Sequence, residues 1–310
     1  RRGLGSGGES RAMDLIERIL QGDLRAVGRL ITMVENANPG AVAALKALYP
    51  HTGHAYVIGV TGPPGSGKST LADRITGELR ELGKTVGIVA VDPTSPFTGG
   101  AILGDRLRMQ RHSLDEGVFI RSMASRGHLG GLSRATNDVV DVLDAMGKDY
   151  ILIETVGVGQ AEVDIMRTAH TTLVVAVPGL GDEIQAIKAG IMEIGDLFVV
   201  NKADREGAER TVLEIEMMLE HGQSDDGWRP KIFKTVASRG EGIEALTHGV
   251  LEHREFLFEE DGHGRKRRER TRWVLRGLLE ERLAARAMAC ISRRGGLDPL
   301  VEKIAARETD

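Results

Sequence analysis

Residues 56–70 read Tyr-Val-Ile-Gly-Val-Thr-Gly-Pro-Pro-Gly-Ser-Gly-Lys-Ser-Thr. Tyr56 to Val60 is an apolar run of the kind that forms a buried strand. It opens into Gly62, Pro63, Pro64, Gly65, Ser66, Gly67, Lys68 and Ser69, followed by Thr70, which fits G-x-x-x-x-G-K-[ST] in full. Glycines allow backbone N–H groups to turn inward around a phosphate, where a Cβ would block approach. The helical pattern that follows (Leu71, Ile75, Leu79, Leu82) starts near Lys68 and aims its unpaired N–H groups and positive dipole end at the same anion. Lys68 is placed to reach β and γ phosphates, and the Ser69 hydroxyl to ligate Mg²⁺. An ordinary glycine-rich strand–helix turn has no need of the Lys-Ser pair. The stretch predicts a phosphate loop that binds a nucleoside triphosphate.

Outward from this loop, strands and helices alternate from Tyr56 to about Val250. That is the pattern of an α/β P-loop NTPase, a mostly parallel sheet flanked by helices. The predicted strands are Val57–Val60, Val86–Val91, Val118–Ser122, Tyr150–Ile153, Thr172–Val177, Leu197–Val200 and Ile232–Thr235, most of them short, apolar and β-branched. Ligands in such sheets sit beyond the carboxyl ends of the strands, so the residues after each strand carry the functional reading.

Asp92 follows the second strand and is placed to meet Mg²⁺, directly or through a water, although Asp before proline is also a common turn residue. A long glycine-containing loop then ends at Asp105, either a switch that closes over the γ-phosphate or the N-cap of a helix before Leu107. After the third strand comes a glycine-rich loop with Ser125, Arg126 and His128, and His128 reads as a structural hydrogen-bond partner. The fourth strand runs into Glu154-Thr155-Val156-Gly157, similar to the D-x-x-G element of GTP-binding proteins with Glu for Asp. The acid would sit near Mg²⁺ and the Gly157 N–H near the γ-phosphate. Val158 stands where Ras-like proteins carry the glutamine that orients water, which predicts slow intrinsic hydrolysis. Residues 178–190 read equally as a nucleotide-responsive loop or as a plain strand–helix link.

Asn201-Lys202-Ala203-Asp204, directly after an apolar strand, is N-K-x-D. An aspartate carboxylate offers two acceptors to the N1 and N2 donors of guanine, a pairing adenine cannot make. The Lys202 stem can lie against the base while Asn201 ties loops together. Ala237 and Ser238, after the last strand, lie where a backbone N–H would meet guanine O6.

The 310 residues suffice for one large domain with appendages. Residues 1–55 read as an N-terminal helical segment, 56–250 as the P-loop domain and 251–310 as a C-terminal helical arm. In the first, residues 1–9 read as disordered. Ser10 caps a helix carrying Leu15, Ile16, Ile19 and Leu20, Gly22-Asp23 breaks it, a second helix carries Leu24 to Val34, and Asn38-Pro39 starts a third. In the arm, Arg265-Lys266-Arg267-Arg268-Glu269-Arg270 opens a long helix with Trp273, Val274, Leu278, Leu279 and Leu283 on one stripe. The basic run reads as a solvated face, and with a net charge of −4 and 4% aromatics the chain has no signature of nucleic-acid or anionic-membrane binding. No apolar run approaches the roughly 18 residues of a transmembrane helix. The one cysteine, Cys290, excludes an internal disulfide framework and any multi-cysteine metal site, and reads as a reduced intracellular protein. The sequence opens on Arg1 rather than Met. The expected location is the cytoplasm, or the mitochondrial matrix if a targeting peptide has been removed.

Taken together, GVTGPPGSGKST, VDPTSPFTGGAILGDRLRM, IRSMASRGHLGGLS, ETVGVGQAEVD and NKAD resemble the MeaB/ArgK family. These are GTPase chaperones of adenosylcobalamin-dependent methylmalonyl-CoA mutase, and the resemblance spans roughly residues 10 to 290. It implies GTP or GDP and Mg²⁺ as ligands. Lys68, Ser69, Asp92, Asp105 and Glu154 would serve phosphate and metal, and Asn201, Lys202 and Asp204 guanine. Residues 178–188 resemble the family's extra switch, with Asp182 and Lys188 as its polar members. The resemblance further implies a cobalamin mutase as partner and a homodimer made through the C-terminal arm. Two other readings compete, a nickel- or zinc-delivering GTPase and a kinase linked to basic amino-acid transport. The first lacks clustered Cys and His ligands, and the second lacks an H-R-D-type loop.

Overall fold

The computed structural model describes residues 6–93, 110–112, 114–125, 131–155, 167–179, 195–220, 227–259, 262–293 and 295–309. Each of the seven predicted strands is present: β1 (Tyr56–Thr61), β2 (Val86–Pro93), β3 (Val118–Ser125), β4 (Tyr150–Glu154), β5 (Thr171–Ala176), β6 (Leu197–Asn201) and β7 (Lys231–Thr235). They form one sheet in the order β3-β2-β4-β1-β5-β6-β7, every pairing parallel. The described helices are α1 (Ser6–Leu20), α2 (Leu24–Glu35), α3 (Pro39–Leu48), α4 (Lys68–Glu81), α5 (Gly131–Ala145), α6 (Ala208–Glu220), α7 (Ile243–Glu259), α8 (Gly262–Arg293) and α9 (Asp298–Ala305).

Alternate strand residues feed opposite faces, and both faces are apolar, as parallel strands covered on each side require. Ile58, Val60, Ile88, Leu152, Leu173 and Val175 meet Leu71, Ile75 and Leu79 of α4 and Leu246, Val250 and Leu257 of α7. On the other face Val57, Val89, Ile151 and Ile153 meet Val139 and Leu143 of α5 together with the stripes of α1 to α3. At the β5–β6 end of that face Val174, Phe198 and Val200 pack on Ala208 and Ile215 of α6. Burying a side chain such as Leu or Ile contributes about 1.5–3 kcal/mol, so the three N-terminal helices add substantially to one continuous core.

The turns of that helical segment carry their own chemistry. Asp23 caps α2 by accepting from the N–H groups of Arg25 and Ala26, and Asn38 caps α3 by accepting from Gly40, with Pro39 in the first turn. Helix α1 begins at Ser6, earlier than a Ser10 cap implies, so the stretch expected to be disordered is in part helical. Nucleation is the costly step in helix formation, and a docked stripe (Leu15, Ile16, Ile19) lets the helix extend back through two glycines. The Asp144 carboxylate on α5 then accepts from the N–H groups of Gly53, His54 and Ala55 at 2.6, 3.2 and 2.9 Å, fixing the entry into β1.

The chain divides into two compact units, Arg1–His263 and Gly264–Asp310. The boundary expected between residues 250 and 251 lies inside α7, which continues to Glu259 and keeps Leu257 in the core. In the second unit Leu275, Leu279 and Leu283 of α8 and Leu300, Val301 and Ile304 of α9 are exposed, as is Cys290. Among the described residues no helix is long and apolar enough to cross a membrane.

Candidate nucleotide-binding site

Strand β1 lies at the centre of the sheet, flanked by β4 and β5, and delivers the glycine-rich loop at its carboxyl end. The three glycines of the loop are used. Gly62, Gly65 and Gly67 have φ of 141°, 76° and 90°, backbone that side chains rarely adopt. A Cβ on Gly62 would lie 2.2 Å from the Val175 carbonyl oxygen, and one on Gly67 would lie 2.5 Å from Asn201 Nδ2. Gly67 is the N-cap of α4 and supplies no side-chain cap, so the first-turn N–H groups stay available to an anion. Ser66 Oγ is fully buried and bonds no described group. A cradle that a Cβ would fill, an uncapped helix N-terminus and a buried hydroxyl suit phosphate oxygens.

Lys68 is buried, and its Nζ donates to the carbonyls of Gly62 and Pro63 at 2.7 and 2.9 Å, which folds the ammonium back over the loop. Ser69 Oγ donates to Glu154 Oε1 at 2.5 Å, across from α4 to the end of β4. A hydroxyl and a carboxylate held together beside a phosphate cradle are the oxygen donors that a hard divalent cation takes. Thr70 is exposed in the first turn of α4, and Pro64 is exposed in the loop. Asp92 lies near the carboxyl end of β2, where its backbone is paired with Ala124 of β3. Ser125, expected on a loop, is the last residue of β3. Asp105, Arg126, His128, Gly157, Val158, Asp182 and Lys188 lie outside the described residues.

The N-K-x-D stretch begins on the last residue of β6. Asn201 is 2% exposed and joins three elements. Its Nδ2 donates to the Ser66 carbonyl at 2.8 Å, and its Oδ1 accepts from Thr235 Oγ1 and from the Ala237 N–H, each at 3.1 Å. Lys202 takes a left-handed φ of 57°, and its Nζ donates to the Gly65 carbonyl at 2.6 Å. Asp204 is exposed, and its Oδ2 accepts from Arg239 Nη2 at 3.2 Å. Ser238 follows Ala237 in a turn closed by Arg239 N–H to Val236 O and Gly240 N–H to Ala237 O.

Three residues with contacts at the site were not singled out by the sequence. Thr235 braces Asn201, and Arg239 pairs with Asp204. Arg74, on α4, donates from Nε to the Ala237 carbonyl at 3.0 Å and from Nη2 to the Ser238 carbonyl at 2.9 Å. An arginine in an amphipathic helix and another in a polar turn look like solvated charges, so no motif marks either.

Phosphate cradle, buried lysine, helix N-terminus and Asn-braced loops on the carboxyl edge of a parallel sheet define a P-loop NTPase. Its guanine-type N-K-x-D element narrows the class to the GTP-binding branch. The family model described as "Methylmalonyl Co-A mutase-associated GTPase MeaB" matches residues 27–292, and the chain belongs to this family of GTPases. A candidate GTPase of Pyrococcus abyssi is 52% identical over 301 residues, covering 96% of this chain and 92% of its own. The GTPase ArgK of Escherichia coli is 35% identical over 258 residues, 80% of this chain and 78% of that protein. A solved structure described as a LAO/AO transport system kinase superposes with a TM-score of 0.75 at 25% identity, covering 97% of this chain and 94% of that one.

Proposed function

We propose that this GTPase is a chaperone that gates cofactor loading into, and protects, an adenosylcobalamin-dependent acyl-CoA mutase, methylmalonyl-CoA mutase before others. The observation that carries the reading is the match to a mutase-associated GTPase family over residues 27–292. Such a role asks nucleotide state to be felt beyond the phosphates. Asn201 supports that, since one side chain ties the phosphate loop to both base-side loops.

In this reading Lys68 neutralises charge on the β and γ phosphates, the α4 N-terminus and the glycine cradle hold their oxygens, and Asp204 accepts from guanine N1 and N2. Ser69 and Glu154 hold Mg²⁺, joined by Asp92 and Asp105, and the ion when bound supplies further charge neutralisation on the transferred phosphoryl group. Gly157, Asp182 and Lys188 are the members of the nucleotide-sensing loops. The exposed Leu275, Leu279 and Leu283 on α8 support a second copy of the chain as the arm's partner.

The test is co-purification with candidate cobalamin mutases in the presence of GDP and of a non-hydrolysable GTP analogue. Capture of one mutase whose strength changes with the nucleotide is expected, and indifference of every such mutase to both nucleotides would overturn the reading. A kinase, the activity for which the similar solved structure is named, would instead move γ-labelled phosphate to an acceptor other than water.

A further inference from the structure

Nothing in the nucleotide motifs accounts for Arg74. It lies one helical turn beyond Thr70 on α4, the helix that starts at the phosphate loop, yet its guanidinium is spent on the base side. It holds two successive carbonyls, Ala237 O and Ser238 O, at 3.0 and 2.9 Å. A trans peptide is planar and carries its C=O and N–H on opposite sides. Fixing the Ala237 carbonyl against α4 therefore turns the N–H of the same peptide, that of Ser238, away from α4.

The neighbouring donors of the turn are already engaged. Ala237 N–H goes to Asn201 Oδ1, Arg239 N–H to Val236 O and Gly240 N–H to Ala237 O. Ser238 N–H bonds no described group. It is thus the turn's available donor, in the segment that also carries Arg239, the partner of Asp204. We infer that Arg74 is a positioning residue for base recognition, aiming the Ser238 N–H at the oxygen on C6 of guanine. The inference rests on the guanine reading of Asp204 and the turn after β7, and deepens it. Arg74 would also tie the base contact to the helix that holds the phosphates.

The experiment measures dissociation constants of the full chain and of Arg74→Met, which keeps the aliphatic stem, and Arg74→Lys, which can serve one carbonyl. The ligands are GDP, IDP, the diphosphate of 2-aminopurine riboside and inorganic triphosphate, at fixed Mg²⁺. GDP and IDP both carry the C6 oxygen, and 2-aminopurine lacks it. Arg74→Met is expected to weaken GDP and IDP by the same factor, about tenfold for charge-assisted bonds of this kind. Arg74→Lys should recover part of that loss, while the 2-aminopurine nucleotide and triphosphate bind parent and variant alike. Unchanged GDP affinity, or an equal loss for 2-aminopurine nucleotide or triphosphate, overturns the assignment, because Arg74 would then act on no base contact or on the whole site. A parent protein that binds the 2-aminopurine nucleotide as tightly as GDP overturns the guanine reading itself, and the inference with it.

Discussion

Replacing Asn201 by alanine tests whether the site is held together before any nucleotide arrives. The side chain is buried and makes three hydrogen bonds, to the Ser66 carbonyl, the Thr235 hydroxyl and the Ala237 N–H. Thr235 Oγ1 can turn to another acceptor, but Ser66 O and Ala237 N–H belong to fixed backbone. Each buried backbone group left unpaired costs about 1–3 kcal/mol, so with two of them Asn201→Ala should lower stability by roughly 2–6 kcal/mol. In a unit of this size, at roughly 2 °C per kcal/mol, that corresponds to a fall in Tm of about 4–12 °C, read by thermal unfolding without nucleotide. Asn201→Asp discriminates further, since it keeps an acceptor for Ala237 N–H but turns a carboxylate oxygen toward the Ser66 carbonyl, beside a phosphate cradle. GDP affinity, measured by titration calorimetry, should therefore drop more in Asn201→Asp than in Asn201→Ala. If Asn201→Ala melts with the parent and binds GDP as tightly, the bridge between base and phosphate loops carries no energy, and the coupling argument fails with it.

Asp204→Asn places an amide donor opposite the guanine amino group while gaining a donor for the C2 carbonyl of xanthine. GTP affinity should fall at least about tenfold and the variant should prefer XTP, whereas binding titrations that show unchanged GTP affinity would remove Asp204 from the base pocket. Hydrogen bonding to Arg80, at 2.8 and 2.9 Å, holds the Asp115 carboxyl below the ordinary aspartate value of 3.8. A lowered folded value means that the pair's stabilisation is fully present above pH 3.8 and is lost as pH falls through that lower value. The stability difference between parent and Asp115→Asn, from urea unfolding across pH 2.5–6 (roughly the window set by linkage), should accordingly narrow below about pH 4. A difference that stays constant across that range would refute the assignment.

The strands were legible because doubly buried parallel strands are short apolar runs with glycine, proline or aspartate at their ends, and β1, β4, β5 and β6 are buried at every position. Edge strand β7 departs from this, with Lys231 and Lys234 exposed, but Ile232 and Phe233 were enough to mark it. Strand order was not legible. It depends on where each crossover helix finds an apolar face to cover, a contest between distant elements that local pattern does not record. The start of α1 was missed for a related reason. Gly7 and Gly8 disfavour helix locally, and what overrides them is a stripe docked on α2, α3 and α5.

At the site, legibility followed covalent spacing. Lys68 and Ser69 sit in one motif and Asn201, Lys202 and Asp204 in another, so residue type and interval suffice to find them. What holds the two motifs in register is spatial, and it breaks local rules. Gly62 and Gly67 leave no room for a Cβ against Val175 and Asn201, and Lys202 accepts a left-handed backbone that costs an ordinary residue about 1–2 kcal/mol. Each departure coincides with a bond between motifs: Asn201 Nδ2 packs where a Gly67 side chain would stand, and Lys202 Nζ reaches the Gly65 carbonyl. Arg74 completes the set from α4. Strain of this kind persists where neighbouring contacts over-determine it. Here those contacts run in one direction, from the loop that cradles phosphate to the loops that would read the base. Asn201, Lys202 and Arg74 thus tie the glycine-rich loop and its helix to the loops after β6 and β7 through side chains alone, which is the link that the Asn201 substitutions break.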